Sequence, residues 1–115
     1  MQIYGTRKCG ITKKAERFFR DRGIAYYFVN LAERGLSRGE LENIRRGLSA
    51  EEALIDTQCP AYKKRGMAYM DYEETEEILA DPLLLRTPVI REGGRVVIGD
   101  DEKAWKALAA EVKGR

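Results

Sequence analysis

The pattern that most restricts the fold lies in the first thirty-one residues, where a helix-like segment separates two short β-forming segments. Residues 2–5 have the length and composition of a strand, and residues 25–31 (AYYFVNL) predict a buried strand. Between them, residues 11–22 predict an amphipathic helix that ends at Gly23, because apolar side chains recur at spacings of three and four: Ile11, Ala15, Phe18 and Phe19. A β-α-β unit of this kind requires parallel strands joined by a right-handed crossover.

The C-terminal part of the chain predicts a hairpin followed by a helix. The run VIREGGRVVI, residues 89–98, places two β-rich segments around Gly93-Gly94, which suits a type I′ turn. A last helix should begin near Asp100 or Asp101, since carboxylates favour a helix N-terminus. Its apolar face would consist of Trp105, Leu108, Ala109 and Val112.

The middle of the chain predicts short helices. Ser37 with Glu40, and Ser49 with Glu52, both match the Ser-x-x-Glu capping box, so a helix should start after each serine. A helical turn is expected over 61–65, closed by Gly66, and an acidic helix over 72–79. The expected α/β architecture is therefore one domain, 1–115, with a mixed four-stranded sheet. A helical insertion at about 32–80 separates its β-α-β and β-β-α halves, in the order of a thioredoxin-like fold.

Composition excludes several chemistries. The chain has 115 residues, two cysteines, no histidine and a formal net charge of +2. Without histidine, Ser-His and Cys-His nucleophile pairs and most zinc sites are ruled out, and we expect no metal site. The net charge is too small to indicate DNA binding. No long apolar run and no export signal is visible, so we expect a cytoplasmic protein without membrane contact or structural disulfides.

Cys9 is the main candidate for chemistry. It lies between the first predicted strand and the first predicted helix, where free amide groups and the helix dipole favour an anion. Arg7, Lys8 and Lys13 are close in sequence, and cysteines in such settings have pKa values of roughly 3.5 to 7.5 instead of about 8.5. We therefore expect a reactive thiolate. The alternative is a buried cysteine that only fills apolar space.

The segment around this cysteine, YGTRKCGITKKAERFF with its Cys-x-x-x-Lys-Lys-Ala arrangement, resembles the active-site loop of the arsenate reductase (ArsC)-like proteins of the thioredoxin superfamily. The resemblance continues through RGLSRGELENI, DPLLLRTPVI and VVIGDDEKAW, and so covers nearly the whole chain. It implies that Cys9 attacks an oxyanion or a disulfide, and that arginines hold the oxyanion. It also makes Thr12 and Lys13 candidates for stabilising the thiolate.

Two family arginines are absent from their expected positions. Asp56 stands where the resemblance implies an arginine in the insertion, and Thr87 stands where an arginine would precede the proline of the third strand. Arg86 is one residue earlier, on the opposite face of a strand, and Arg95 is the remaining candidate ligand. Because an aspartate repels arsenate, efficient arsenate reduction is not expected.

Thr87-Pro88 is similar to the residue and cis-proline that, in thioredoxins and glutaredoxins, present their backbone to a bound peptide or glutathione. The segment Gly99-Asp100-Asp101 is similar to the glutaredoxin segment that binds the glutamyl group of glutathione. The alternative for the two aspartates is an ordinary helix cap.

These features predict a thiol oxidoreductase without a tightly bound cofactor. Cys9 would form a mixed disulfide with glutathione as co-substrate, and a second thiol, glutaredoxin or thioredoxin would release it. Cys59 either resolves this disulfide or is an exposed cysteine without a role. The alternative function is an interaction protein like the Spx-type regulators, which bind RNA polymerase, although Thr12 replaces the second cysteine of their redox switch. We expect a monomer.

Overall fold

The computed structural model describes residues 1–115, which form two compact units. The sheet unit consists of Met1–Asn30 with Thr87–Arg115, and the insertion unit consists of Leu31–Arg86. In chain order the elements are β1 (Gln2–Gly5), α1 (Gly10–Asp21), β2 (Tyr27–Asn30), α2 (Arg38–Arg46), α3 (Pro60–Lys64), α4 (Glu74–Ala80), β3 (Val89–Glu92), β4 (Arg95–Ile98) and α5 (Glu102–Lys113), with short 3-10 helices at Met67–Tyr69 and Pro82–Leu84. None of these helices is long and apolar enough to cross a membrane.

The sheet has the strand order β2-β1-β3-β4. β1 pairs in parallel with β2, which confirms the predicted β-α-β unit, and β3 pairs antiparallel with both β1 and β4. Tyr4 is opposite Val89, and Val89 is opposite Ile98. The C-terminal ends of β1 and β4 and the N-terminal end of β3 therefore lie at the same end of the sheet. This is the mixed four-stranded sheet and thioredoxin-like element order that the sequence predicts.

The segment predicted as a buried strand is shorter and more exposed than expected. β2 contains four residues, of which only Val29 is buried, while Tyr27 is 67% exposed. β2 is at the edge of the sheet and has a neighbouring strand on one side only. Aromatic and β-branched residues therefore indicated a strand here without indicating how deeply it is buried. Phe28 is covered by the guanidinium of Arg7, which is 4.4 Å from the ring centre.

The core of the sheet unit is formed by the sheet, α1 and α5. Trp105 and Leu108 of α5 are fully buried, as predicted, and Phe18 packs edge-to-face on Phe19 and in a tilted arrangement on Trp105. The buried members of this cluster are Ile3, Ala15, Phe19, Ile24, Ile90, Val97, Trp105, Leu108 and Ala109. Helix α5 starts where the sequence places it, with Asp101 as N-cap accepting a hydrogen bond from the Ala104 amide.

The β3–β4 hairpin is confirmed, but its turn is not type I′. Glu92 pairs with Arg95 across a two-residue turn, as predicted. A type I′ turn requires positive φ at both central residues, whereas only Gly93 has one, at 58°. Glycine accepts either sign of φ, so the Gly-Gly pair predicts a tight turn without determining its type.

In the insertion unit, one of the two predicted capping boxes is confirmed. Ser37 accepts a hydrogen bond from the Glu40 amide, and the Glu40 carboxylate accepts one from the Ser37 amide, at the start of α2. Helix α3 ends before Gly66, which has a φ of 65°, close to the prediction. Helix α4 begins at Glu74, two residues later than predicted, with Glu73 as its N-cap.

The predicted helix after Ser49 is wrong, because its backbone groups bond elsewhere. The segment makes only a turn, from the Glu52 amide to the Ser49 carbonyl. The guanidinium of Arg45 donates to the carbonyls of both Ser49 and Glu52, and the Glu74 carboxylate accepts from the amides that follow. These distant side chains replace the hydrogen bonds of a helix.

Candidate active site

Cys9 is at the junction of β1 and α1, where the sequence predicts it. It is the N-cap of α1, is partly buried, and its Sγ accepts a hydrogen bond from the Thr12 amide at 3.4 Å. The thiol therefore occupies the place of an oxygen-bearing N-cap residue and receives one of the unpaired amides of the helix start.

Gly5 allows the end of β1 to pack directly against the first turn of α1, a role that the sequence did not predict. A Cβ at Gly5 would be 2.4 Å from Oγ1 of Thr12, which is fully buried against it. Only glycine permits this approach of β1 to the first turn of α1. The available signal was a glycine at the end of a strand directly before a reactive loop.

Thr87 contacts the sulfur directly. Its Oγ1 donates a hydrogen bond to Cys9 Sγ at 3.3 Å, and its peptide bond with Pro88 is cis. The pairing of Tyr4 with Val89 brings the start of β3 beside the end of β1, which explains how residues so distant in sequence meet. The sequence predicts Thr87 as a backbone-binding residue, and the structure adds its hydroxyl as a donor to the thiol.

The pKa of Cys9 lies below the ordinary value for a cysteine. Partial burial of the sulfur raises the pKa, but hydrogen bonds from the side chains of Thr12 and Thr87 and from the amides of Thr12 and Ile11 together outweigh it. Thr12 Oγ1 forms no hydrogen bond of normal geometry, so the Thr87 hydroxyl and the Thr12 amide are the better-defined donors. Neutral donors therefore lower the pKa, whereas the sequence reasoning assigned part of this effect to nearby basic residues.

The two lysines after Cys9 differ in their contacts. Lys13 is exposed and has no ion-pair partner, and its amide donates to the Cys9 carbonyl at 3.1 Å. Lys14 is half-exposed, and its ammonium pairs with the carboxylates of Asp100 and Glu102 at 3.1 Å each. Asp101 is the N-cap of α5, whereas Asp100 forms an ion pair with Lys14 of α1.

Each of the two candidate arginines is bound to a partner within its own unit. Arg86 uses its guanidinium within the insertion unit, where it donates to the Ala53 carbonyl at 2.7 Å and to the Glu52 carboxylate at 3.3 Å. Arg95 is at the turn end of β4, three residues or roughly 10 Å along the strand from the residue paired with Val89. It pairs there with Glu111 of α5.

Asp56 and Cys59 belong to the insertion unit. The Asp56 carboxylate accepts a hydrogen bond from the Gln58 amide at 2.9 Å. Cys59 precedes α3 and is partly buried, and both cysteines are free thiols. No group of three or more potential metal ligands occurs in the chain.

The arrangement at Cys9 is suited to nucleophilic sulfur chemistry. A partly exposed sulfur with a lowered pKa carries more thiolate at neutral pH than an ordinary cysteine, and the thiolate is the reactive form. The hydrogen bonds hold the sulfur at the start of a long helix, and the residue that precedes the cis-proline is directly beside it.

Comparisons with known proteins agree with this geometry. A family model described as the ArsC family matches residues 4–108. The chain is 27% identical over 106 residues to the global transcriptional regulator Spx 2 of Oceanobacillus iheyensis, covering 89% of this chain and 78% of that protein. It is also 27% identical to the uncharacterized protein YusI of Bacillus subtilis, covering 92% and 95%. An arsenate reductase from Vibrio cholerae has the same fold, with a TM-score of 0.77, 19% identity, and coverage of 94% and 98%.

Proposed function

Because the chain belongs to the ArsC family, a thiol oxidoreductase-like family, we propose that it is a thiol oxidoreductase whose nucleophile is Cys9. The observation that carries the proposal is the sulfur itself, partly exposed and with a lowered pKa. The Thr87 hydroxyl at 3.3 Å supports it, because this donor stabilises the thiolate.

The proposed reaction is thiol–disulfide exchange. The Cys9 thiolate attacks one sulfur of a disulfide, the S–S bond breaks, and the departing thiolate takes a proton from solvent. A second thiol then attacks the mixed disulfide, which releases the Cys9 thiolate and forms a new disulfide. We assign glutathione as the small thiol, with glutaredoxin or thioredoxin as protein donors.

The main chain of Thr87 supports a role in substrate binding. Neither its N–H nor its C=O is paired with another group of the chain, so both are available to the backbone of a peptide or of glutathione. Pro88 is buried and its carbonyl accepts from the Gly99 amide, which fixes the segment. Substrate backbone at Thr87 would place a disulfide beside Cys9.

Disulfides are favoured over arsenate as substrates because the candidate arginines are engaged elsewhere. Arg86 is bound to Glu52 and Ala53, and Arg95 pairs with Glu111 at the far end of its strand. A guanidinium that is already bound in this way is not free to hold an oxyanion as a bidentate partner.

The test is glutathione-coupled reduction of 2-hydroxyethyl disulfide, followed as NADPH oxidation by glutathione reductase. Cys9→Ser should abolish turnover although the variant still folds and unfolds cooperatively on heating, and wild-type turnover in this variant would refute the proposal. Mass spectrometry after exposure to oxidised glutathione should show an adduct on Cys9. A bridge between Cys9 and Cys59 would instead make Cys59 the resolving cysteine.

A second assay separates arsenate reduction from general exchange. Arsenate-dependent NADPH oxidation in the presence of glutaredoxin and glutathione should remain at the background measured with Cys9→Ser. Arsenate turnover that depends on Cys9 would contradict the preference for disulfides.

The alternative function is an interaction protein that binds RNA polymerase, and the 27% identity to the regulator Spx 2 favours it. Against it, Thr12 is in the position where a two-cysteine switch next to Cys9 would have its second sulfur. Retention of purified RNA polymerase subunits by the immobilised protein, together with an inactive Cys9 in the disulfide assay, would establish this alternative in place of the enzyme.

A further inference from the structure

A cavity of about 290 Å³ lies within the insertion unit. Its lining comes from α3, from the 3-10 helix at Met67–Tyr69 and from the chain beside them, and consists of Thr57, Tyr62, Lys63, Gly66, Met67, Ala68 and Tyr69. Small-molecule sites typically have volumes of about 300–1,000 Å³, so this cavity has room for a ligand of about one aromatic ring. Cys9 belongs to the sheet unit, and the proposed thiol–disulfide exchange uses none of these residues.

The cavity forms where the chain reverses direction after α3. Gly66 follows that helix with a φ of 65°, a conformation that glycine adopts without strain. Its amide donates to the Lys63 carbonyl at 3.1 Å, and its carbonyl accepts from the Tyr69 amide at 3.2 Å. The 3-10 helix therefore contacts α3, and residues from both elements line the same space.

The walls of the cavity are mainly apolar and aromatic. Met67 is almost fully buried and forms the inner wall, whereas Tyr69 is 96% exposed. The Tyr62 ring packs edge-to-face with Tyr72, with 6.5 Å between the ring centres. Met70 and Tyr72 are also exposed, so large apolar side chains in contact with solvent are concentrated in this segment. Such a concentration is typical of a binding site, where aromatic rings supply most of the contact area.

Lys63 is the charged residue of the lining, and its ammonium group has no acidic partner. Arg65, two residues later, pairs with Glu77 at 2.7 Å and with Asp81 at 3.9 Å. Lys63 forms no such pair, and the lining itself contains no carboxylate. An apolar space beside one unneutralised ammonium group favours a ligand that combines an apolar body with a negative charge.

We propose that this cavity binds small aromatic carboxylates. The ring of the ligand would replace water against Tyr62, Met67 and Tyr69, and its carboxylate would pair with the Lys63 ammonium group. Binding is non-covalent and independent of the thiol at Cys9, so the site adds a second binding function to the chain.

The test is an amide NMR titration of the full chain with four compounds that have the same number of non-hydrogen atoms: benzoate, neutral benzamide, cationic benzamidine and non-aromatic cyclohexanecarboxylate. Benzoate should shift signals within residues 57–69 with a dissociation constant of about 1–10 mM, as expected for so small a ligand. Benzamide should bind roughly two- to fivefold more weakly because it lacks the charge, and benzamidine more weakly still. Cyclohexanecarboxylate should bind roughly two- to tenfold more weakly than benzoate because it lacks an aromatic ring.

Two variants with matched controls assign the effect to the cavity. Lys63→Gln should lower the affinity for benzoate roughly two- to fivefold, to the level of benzamide, whereas Lys64→Gln, on the same helix but outside the lining, should not. Tyr69→Ala should weaken benzoate and benzamide alike by roughly two- to tenfold. Tyr27→Ala, which removes an exposed tyrosine of the sheet unit, should change neither.

Equal affinities for benzoate and benzamide, or for benzoate and cyclohexanecarboxylate, would overturn the assigned class of ligand. An equal loss of affinity in Lys63→Gln and Lys64→Gln would do the same, because it would reduce the charge preference to a general surface effect. If benzoate shifts no signal within residues 57–69 at concentrations up to about 50 mM, the cavity is not a binding site. Each of these failures leaves the proposed function intact, since the disulfide assay measures Cys9 separately.

Discussion

Replacing Thr87 by valine tests how the thiolate is stabilised. Valine keeps the shape of threonine and the following proline but removes the hydroxyl that is 3.3 Å from Cys9 Sγ. Hydrogen bonds to charged groups contribute about 1.5–3 kcal/mol when buried, and for this partly exposed sulfur we take about 1 kcal/mol. The pKa of Cys9 should therefore rise in the variant.

The size of the effect on rate depends on pH. A loss of about 1 kcal/mol reduces the thiolate population roughly fivefold at pH values below the pKa. A thiolate of higher pKa is also a better nucleophile, and with a Brønsted coefficient of about 0.4–0.5 this gain is roughly twofold. Thr87→Val should thus react roughly two- to threefold more slowly than wild type at low pH and roughly twofold faster at high pH.

The assay is the second-order rate of alkylation by iodoacetamide across a pH series, with Cys59→Ser as the background so that one thiol is measured. Thr87→Ser is the matched control, since it keeps the hydroxyl and should follow the wild-type profile. Rate profiles of the valine and wild-type proteins that do not cross would refute the assignment of Thr87 Oγ1 as a donor to the thiolate. So would a serine variant that behaves like valine.

Three further predictions concern stability. Gly5→Ala should lower the free energy of unfolding by about 1–3 kcal/mol, because its Cβ would be 2.4 Å from a buried side-chain oxygen, whereas Gly10→Ala, with open space around it, should not be destabilised. Urea unfolding measures both, and equal effects would contradict the close-packing argument. Ser37→Ala should cost about 1 kcal/mol through loss of the capping box, while Ser49→Ala, which caps no helix, should change stability by less than about 0.5 kcal/mol; an equal loss in both would be inconsistent with the structure. Because the pKa of Cys9 is lowered on folding, its thiolate stabilises the folded protein fully above the pKa of the unfolded chain, and this contribution is lost as pH falls through the folded pKa. Stability curves of wild type and Cys9→Ser should therefore converge at acidic pH and separate at alkaline pH, and a constant offset would exclude the linkage.

The sequence predicts elements well where the relevant interactions are local. The helix period of α1 and the capping box at Ser37 depend on residues within one or two turns, and both are confirmed. The identical motif at Ser49 fails because Arg45 and Glu74 supply hydrogen bonds from other parts of the chain. A four-residue motif contains no information about such partners.

The same distinction applies to the site. The position of Cys9 at the start of a helix could be predicted from the local sequence pattern. The prediction that Thr87 and Pro88 lie opposite it depended on the resemblance to a known family. Whether Arg86 and Arg95 can hold an oxyanion depends on which carboxylate each guanidinium pairs with, and these are Glu52 and Glu111. A charge pattern along the chain does not determine that choice, because the partners are separated by many residues.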